Sequence, residues 1–284
     1  MTYHTTMSRL RQLDSRFERI FGTLLGLGPL RLHRFGHDHD HDEPASDVEA
    51  DVLAEVRERA GDVHERLSHE HDVFAVELAG STGGGKTMLI ERLIERADEG
   101  ERIGVVVGDV TGEDDAERLR AHGVAVENIN TGKECHLDPM VVAEALDGFD
   151  LEELDTLYIE NVGNMVCPAD FPLGANRRVL VVSTTEGDDV VRKHPMLVQT
   201  ADVVVVNKVD LADAVGTSVE RIRSDVGAVS PETPMLEIAA KTGQGIDGVV
   251  DVLDESRTEH HSHRTAPPHH GDDTESNHTG DSGH

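Results

Sequence analysis

The chain contains no tryptophan, and aromatic residues make up only 3% of its 284 residues. Lysine is equally scarce, with five residues, whereas Asp and Glu together number 56 and give a formal charge of −30 at pH 7. A nucleic-acid partner requires clustered cations that contact phosphates, so this composition argues against one. Low aromatic content and excess acid resemble proteins of salt-loving organisms, in which salt screens the self-repulsion of the chain.

The chain has only two cysteines, Cys135 and Cys167, and such a pair in a cytosolic protein is rarely a structural disulfide. Long apolar runs are also lacking. The nearest candidate, residues 20–30, is interrupted by Pro29 and by glycines. We therefore expect no transmembrane segment and a cytoplasmic location.

One glycine-rich stretch matches the phosphate-binding loop G-x-x-x-x-G-K-[ST] in full. An apolar run, 73–79, precedes it and a helix-like run, 88–94, follows it, which argues against a chance glycine-rich turn. The glycines let backbone N–H groups converge on phosphates at the start of a helix, the lysine reaches the β- and γ-phosphates, and the threonine hydroxyl is a ligand for Mg²⁺. The residues are Gly80, Gly83, Gly84, Gly85, Lys86 and Thr87.

A second motif, N-K-x-D, indicates the base. It ends an apolar run at Asn207, Lys208 and Asp210. A carboxylate at Asp210 can accept hydrogen bonds from N1–H and the exocyclic amine of guanine, a donor pair that adenine lacks. Ala240-Lys241 ends a later apolar stretch and resembles the loop that supports the guanine oxygen. Alone, this motif would fit an ordinary strand-to-turn junction, but with the phosphate loop it predicts GTP binding.

Apolar runs alternate with helical segments from residue 73 to about residue 253, which predicts an α/β fold of the P-loop NTPase type. In such a fold a mostly parallel central sheet carries helices on both faces. We expect three regions: an amphipathic and His/Asp-rich extension (1–43), a GTPase domain with a helical lead-in (44–254) and a disordered acidic tail (255–284).

Histidines are concentrated in the two terminal regions. They can store Ni²⁺ weakly through neutral imidazoles, or they can simply belong to solvated linkers, and an affinity tag is a third interpretation. The residues are His37, His39 and His41 near the start, and His260, His261, His263, His269 and His270 near the end.

Cys135, His136 and Cys167 offer two thiolates and an imidazole, which suit Ni²⁺ or Zn²⁺ better than Mg²⁺. Three ligands do not complete a coordination shell, so water or a second subunit must supply the rest. The alternative is that both cysteines are small buried apolar residues, and spacing alone does not decide between the two.

Glu160 ends the apolar run 157–159, at a place where acidic groups approach Mg²⁺ or its waters. Gly163 follows and can offer its N–H to the γ-phosphate. Because Cys167 comes seven residues after Glu160, a metal ligand would lie on the segment that senses the nucleotide. This arrangement gives GTP hydrolysis a physical route to change metal affinity.

From residue 73 to about residue 253 the chain resembles the HypB family of hydrogenase nickel-incorporation GTPases, in the SIMIBI class of P-loop GTPases. Besides the phosphate loop and N-K-V-D, the motifs that carry the resemblance are N-T-G-K-E-C-H-L-D (130–138), E-N-V-G-N-M-V-C-P (160–168), S-T-T-E-G-D-D (183–189) and G-D-V (108–110).

The resemblance implies a GTP-hydrolysing metallochaperone that dimerises with GTP and releases nickel to an enzyme precursor, with a small accessory protein as nickel donor. It favours a metal role for Cys135, His136 and Cys167, and it makes Asp109 a switch carboxylate near Mg²⁺. The expected catalytic residues are then Lys86, Asp109, Glu160 and Gly163, and the expected Mg²⁺ ligands are Thr87, Asp109 and Glu160.

The sequence departs from the family at two places. No cysteine precedes Cys135, although many members carry an N-terminal cysteine-rich nickel motif, and the phosphate loop begins Gly-Ser-Thr instead of Ser-Ser-Pro. Two alternatives stay open: a urease-type nickel GTPase, disfavoured by the adjacent Cys135-His136, and a regulatory GTP-binding switch without metal transfer.

Overall fold

The computed structural model describes residues 45–109, 112–132, 136–169 and 171–265, with side chains from residue 51 to residue 260. The extension 1–43 with its His/Asp tract, the tail from residue 266 and Cys135 lie outside the described residues.

Seven strands form one sheet in which every pairing is parallel. The strand order across the sheet is β3-β2-β4-β1-β5-β6-β7, which places β1 at its centre. The predicted P-loop NTPase architecture with a parallel sheet is confirmed. The strands are β1 (Phe74–Gly80), β2 (Ile103–Asp109), β3 (Ala125–Asn130), β4 (Thr156–Glu160), β5 (Arg177–Ser183), β6 (Val203–Asn207) and β7 (Met235–Glu237).

Helices cover both faces of this sheet. Alternate residues of β1 belong to different apolar clusters: Val76 and Leu78 pack with helices on one face, whereas Ala75 packs on the other. The helices are α1 (Ala45–His64), α2 (Lys86–Ile94), α3 (Asp114–Arg120), α4 (Pro139–Ala145), α5 (Val190–Lys193), α6 (Pro195–Thr200), α7 (Ala212–Val215), α8 (Val219–Val229) and α9 (Ile246–Thr265).

The lead-in to the domain is helical, as expected. In α1 and the π-helical turn after it (Glu65–Glu70), Val56, Ala60, Val63 and Leu67 recur at three- and four-residue intervals and are buried. This apolar stripe packs against the β2-β4-β1 side of the sheet and α4, so the helix belongs to the domain core.

The expectation of a structureless segment from residue 255 is wrong for its first part, because α9 continues to Thr265. Arg257 pairs with Glu101 at 2.7 Å and lies 5.6 Å above the ring of Phe74. Glu259 pairs with Arg177 at 3.0 Å. The composition of the tail did not indicate these helical turns, because scattered polar contacts hold them in place instead of an apolar stripe. None of the helices in the described ranges is long and apolar enough to cross a membrane.

Candidate functional site

The phosphate loop joins the end of β1 to the start of α2, as the motif predicted. Gly83 and Gly85 adopt φ angles of 74° and 99°, in the left-handed region that favours glycine. A Cβ at Gly85 would also overlap the side-chain amide of Asn207. The glycine therefore lets the phosphate loop lie directly against the N-K-x-D strand.

Lys86 and Thr87, the first residues of α2, both point into the site and are buried. The Lys86 ammonium donates to the carbonyl oxygens of Ser81 at 3.1 Å and Gly80 at 3.4 Å, within its own loop. Burial lowers the pKa of Lys86. The ammonium is thus a desolvated cation at the place where the loop would hold phosphate oxygens.

Glu160 ends β4 and faces the start of α2. Its Oε1 accepts a hydrogen bond from the Thr87 hydroxyl at 2.8 Å, whereas its Oε2 is buried without a hydrogen-bond partner. Burial raises the pKa of Glu160 to about 7, against the opposing influence of Lys86 and the Thr87 hydroxyl. A buried carboxylate with one unpartnered oxygen fits a role as a ligand for a hard cation, because Mg²⁺ prefers oxygen ligands.

The N-K-x-D loop is tied to the phosphate loop by two side chains. The Asn207 amide donates to the Gly84 carbonyl at 2.9 Å, and its oxygen accepts from the Ala240 N–H at 3.0 Å. Lys208, at a φ of 62°, donates from Nζ to the Gly83 carbonyl at 2.6 Å. The base loop and the phosphate loop therefore form one connected unit.

A single cavity of about 590 Å³ joins these parts, a volume in the usual range for a small-molecule site. Two of the expected nucleotide-site residues, Gly80 and Gly84, are not part of its lining, and Gly84 contacts Asn207 instead. The structure brings the other expected nucleotide-site residues together along it: Gly83, Gly85, Lys86, Thr87, Asp109, Glu160, Gly163, Asn207, Lys208, Asp210, Ala240 and Lys241.

Gly163 lies against the phosphate loop, in the segment that follows β4. Its carbonyl accepts a hydrogen bond from the Thr82 hydroxyl at 3.0 Å, and the N–H of Asn164 donates to the Gly80 carbonyl at 3.0 Å. A Cβ at Gly163 would overlap Thr82. This close approach requires glycine and puts the segment beside the phosphate site.

Two of the residues expected to bind a soft metal, His136 and Cys167, lie next to this site but outside the cavity lining. Cys167 is half-buried and begins a short 3-10 turn (Cys167–Ala169). The His136 ring packs on the Phe171 ring with their centroids 4.0 Å apart. In the ranges that the structure describes, no three His, Cys, Asp or Glu side chains are grouped as a metal site. Because Cys135 lies outside those ranges, the three-ligand site stays a prediction.

Sequence reasoning missed several residues that shape the site. Arg92 on α2 donates from Nε to the Ala240 carbonyl at 2.8 Å and so supports the base loop. Glu186 accepts from the Ser81 hydroxyl at 2.6 Å and from the Ser183 N–H at 3.0 Å. The Ser-Thr-Thr-Glu spacing is a capping-box signal and could have identified Glu186. No local pattern marks Arg92.

Comparison with known proteins gives consistent results. The sequence profile of the family described as "CobW/HypB/UreG, nucleotide-binding domain" matches residues 74–237. The chain is 44% identical over 210 residues to the probable hydrogenase maturation factor HypB of Methanocaldococcus jannaschii, which covers 74% of this chain and 95% of the relative.

Two solved structures are similar in fold and sequence. The crystal structure of hydrogenase maturation factor HypB from Archaeoglobus fulgidus matches with a TM-score of 0.67 and 45% identity, covering 72% of this chain and 99% of that one. The crystal structure of HypB from Helicobacter pylori in complex with nickel matches with a TM-score of 0.68 and 32% identity, covering 72% and 96%.

Proposed function

The chain belongs to the CobW/HypB/UreG family, among the HypB hydrogenase maturation factors, and from this membership we propose that it hydrolyses GTP to control the transfer of nickel to an enzyme precursor. The observation that carries the proposal is the continuous cavity that joins Lys86 and Thr87 to Asp210 and Lys241. Such a cavity suits a guanine nucleotide with its phosphates at the start of α2.

Each residue has a separate task in the proposed hydrolysis. Lys86 neutralises charge on the β- and γ-phosphates, and the Gly163 N–H contacts the γ-phosphate. Thr87, Asp109 and Glu160 would hold Mg²⁺, which fits the unpartnered Oε2 of Glu160. When bound there, Mg²⁺ neutralises charge on the phosphate oxygens. Asp210 reads the guanine edge, and the aliphatic stem of Lys208 covers the base plane.

Nickel is the cargo in this proposal, and Cys135, His136 and Cys167 are its ligands. Zn²⁺ is a competing ion because it favours the same thiolate and imidazole groups. The nickel complex of the Helicobacter pylori HypB supports the choice of metal. Three ligands leave the shell incomplete, so we propose that a GTP-dependent homodimer brings a second set across a two-fold interface.

The proposed partners are a small nickel-donor accessory protein and the precursor of a nickel enzyme, with a [NiFe] hydrogenase as the client. Activity in the cytoplasm follows from this role. The extension 1–43, the GTPase domain 44–254 and the His-rich tail 255–284 remain the proposed division of the chain, with the helical part of the tail up to Thr265 packed on the domain.

The experiment that tests the proposal measures two properties of the purified full-length protein. The first is GTP turnover with and without Mg²⁺. The second is the affinity for Ni²⁺ and Zn²⁺ in the presence of GDP and of a non-hydrolysable GTP analogue, for wild type and for Cys167→Ala. The variant removes one of only two thiolates in the chain.

We expect wild type to bind Ni²⁺ with an affinity that depends on the nucleotide, and Cys167→Ala to lose the tight site. By linkage, the metal must alter the affinity for the nucleotide to the same extent. A wild-type protein that turns over GTP but binds no metal would support the regulatory switch instead. Metal affinity unchanged by Cys167→Ala would remove that residue from the site.

A further inference from the structure

A charged pair is buried in the sheet beside the nucleotide site, although neither residue lines the cavity. Glu77 of β1 and Arg178 of β5 are direct neighbours in the strand register. Arg178 Nε donates to Glu77 Oε2 at 2.9 Å, and both residues are buried, Glu77 with only 2% of its surface exposed. No step of the proposed hydrolysis uses this pair.

Asn161 connects the pair to the segment that contacts the phosphate loop. Its amide donates to Glu77 Oε1 at 2.9 Å, and its own backbone N–H donates to the Leu78 carbonyl at 3.0 Å. Asn161 directly follows Glu160, and Gly163 comes two residues later. The second carboxylate oxygen of Glu77 thus holds the start of the segment expected to sense the γ-phosphate.

The same network reaches the segments that carry His136 and Cys167. The Asn161 side-chain oxygen accepts from the Leu137 N–H at 3.0 Å, one residue after His136. Arg178 also donates from Nη2 to the Phe171 carbonyl at 3.2 Å, and Phe171 is the residue on which the His136 ring packs. Two routes therefore lead from Glu77 to His136, one through Asn161 and one through Arg178 and Phe171.

Stability alone does not explain this arrangement. A buried ion pair loses the hydration of both charges, so well-packed apolar residues of similar volume often stabilise a fold at least as well. Directional hydrogen bonds do something that apolar contacts cannot: they fix the relative positions of the loops that they join. Here the joined segments are the proposed nucleotide sensor and two neighbours of His136, namely Leu137 and Phe171.

We infer that Glu77 and Arg178, acting through Asn161 and Phe171, are positioning residues that transmit movement of the 161–164 segment to His136. The inference rests on the proposed function in one respect, because the proposed release of nickel is the process that the movement would control. The network itself consists only of contacts between protein groups.

The test uses the full-length double variant Glu77→Leu/Arg178→Met, which replaces the charges with apolar side chains of similar size and leaves every cavity-lining residue unchanged. The matched control is Glu101→Leu/Arg257→Met, which removes another partly buried ion pair on the opposite face of the sheet. Far-ultraviolet circular dichroism and thermal unfolding establish that each variant folds.

The first readout is the ¹³C NMR signal of the His136 ring in metal-free protein, assigned with a His136→Gln variant. We expect this signal to shift between GDP and a non-hydrolysable GTP analogue in wild type and in the control, and to stop responding in the Glu77/Arg178 variant. GTP affinity should stay within about threefold of wild type, since no residue that lines the cavity is replaced.

The second readout is the ratio of Ni²⁺ dissociation constants with the two nucleotides. We expect a ratio of about fivefold or more in wild type, a common size for coupling between two sites, and a ratio near one in the double variant. A folded double variant that keeps both responses would overturn the inference while leaving the proposed function intact.

Failure of the proposed function gives a different result. If the His136 signal responds to nucleotide and the double variant abolishes that response, but Ni²⁺ affinity never depends on nucleotide, the network couples the loops and the nickel role is wrong. Should the double variant not fold, Arg178→Lys serves in its place. This substitution keeps a cation beside Glu77 and removes the Nη2 group that donates to the Phe171 carbonyl. We expect a smaller His136 response in Arg178→Lys, and an unchanged response would overturn the role of Arg178 and Phe171 in the inference.

Discussion

Arg92 donates a hydrogen bond from Nε to the Ala240 carbonyl oxygen at 2.8 Å, which connects the helix of the phosphate loop to the loop expected to support guanine. Asn207 makes a second connection of this kind through Gly84 and Ala240. Because these contacts join the base loop to the phosphate loop and to the helix that follows it, the position of the base loop depends on both.

Arg92→Met should weaken guanine binding while leaving the phosphate contacts in place, because it keeps the apolar stem and removes the donor to Ala240. We expect a loss of about 1 kcal/mol, the usual size for one hydrogen bond. Isothermal titration with GDP measures it. Arg102→Gln, which removes an exposed ion pair with Asp155, is the control and should bind GDP like wild type. Equal affinities for all three proteins would show that Arg92 does not support the site.

Lys86→Ala should abolish GTP hydrolysis without unfolding the protein, since it removes the cation that faces the β- and γ-phosphates. Lys193→Ala is the matched control: that lysine is exposed and pairs with Asp189 at 2.8 Å outside the cavity. Phosphate release measures turnover. Wild-type turnover in Lys86→Ala would contradict the assignment of the phosphate site.

Asp210→Asn should reduce GTP affinity by roughly 1–3 kcal/mol, because the two guanine donors lose their carboxylate acceptor. Competition between GTP and ATP measures both affinity and preference. Asp213→Asn changes an exposed acid on α7 and should leave binding unchanged. If Asp210→Asn behaves like this control, Asp210 does not read the base.

Truncation after residue 254 should destabilise the domain, whereas truncation after Thr265 should not. The shorter chain loses the ion pair of Arg257 with Glu101 and the contact of Arg257 with Phe74. We expect about 2 kcal/mol lower stability from these losses together. Urea unfolding of the two truncated proteins measures the difference, and identical midpoints would mean that the end of α9 contributes nothing.

Deleting residues 1–43, or truncating after Thr265, should lower the number of Ni²⁺ ions bound and leave GTP turnover unchanged. Neither removed segment contains a nucleotide motif, and each removes several histidines. Equilibrium dialysis with ⁶³Ni counts the bound ions. Unchanged stoichiometry after both deletions would identify the removed histidines as part of plain linkers.

The motifs made the nucleotide site predictable because each is local. The phosphate loop and N-K-V-D carry their geometry in consecutive residues, so the grouping of Lys86, Thr87 and Asp210 along one cavity could be predicted before the fold was known. Strand-helix alternation likewise predicted a parallel sheet. The strand bounds differ from the apolar runs by only one or two residues at most ends, as for the run 73–79 and β1 (Phe74–Gly80).

The contacts that connect these motifs could not be predicted, because they join residues far apart in the chain. Arg92 and Ala240 are 148 residues apart, and Glu77 and Arg178 are 101 residues apart. Glu77 interrupts an apolar strand, a local irregularity that gives no indication of its partner. The end of α9 was missed for a related reason, since the ion pairs that hold it depend on tertiary structure and not on hydrophobic periodicity.

The distribution of the five lysines has a practical consequence for chemical labelling of the protein. Lys86, Lys208 and Lys241 line the nucleotide cavity, and Lys193 lies on the surface. Reagents that acylate primary amines, such as common fluorescent labels, cross-linkers and sensor-chip chemistries, thus have few targets other than the nucleotide pocket. A labelled or amine-immobilised sample is therefore at risk of inactivation, and bound GDP is the natural protecting agent. The same chemistry becomes a footprinting assay, in which protection of these three amines reports occupancy of the pocket.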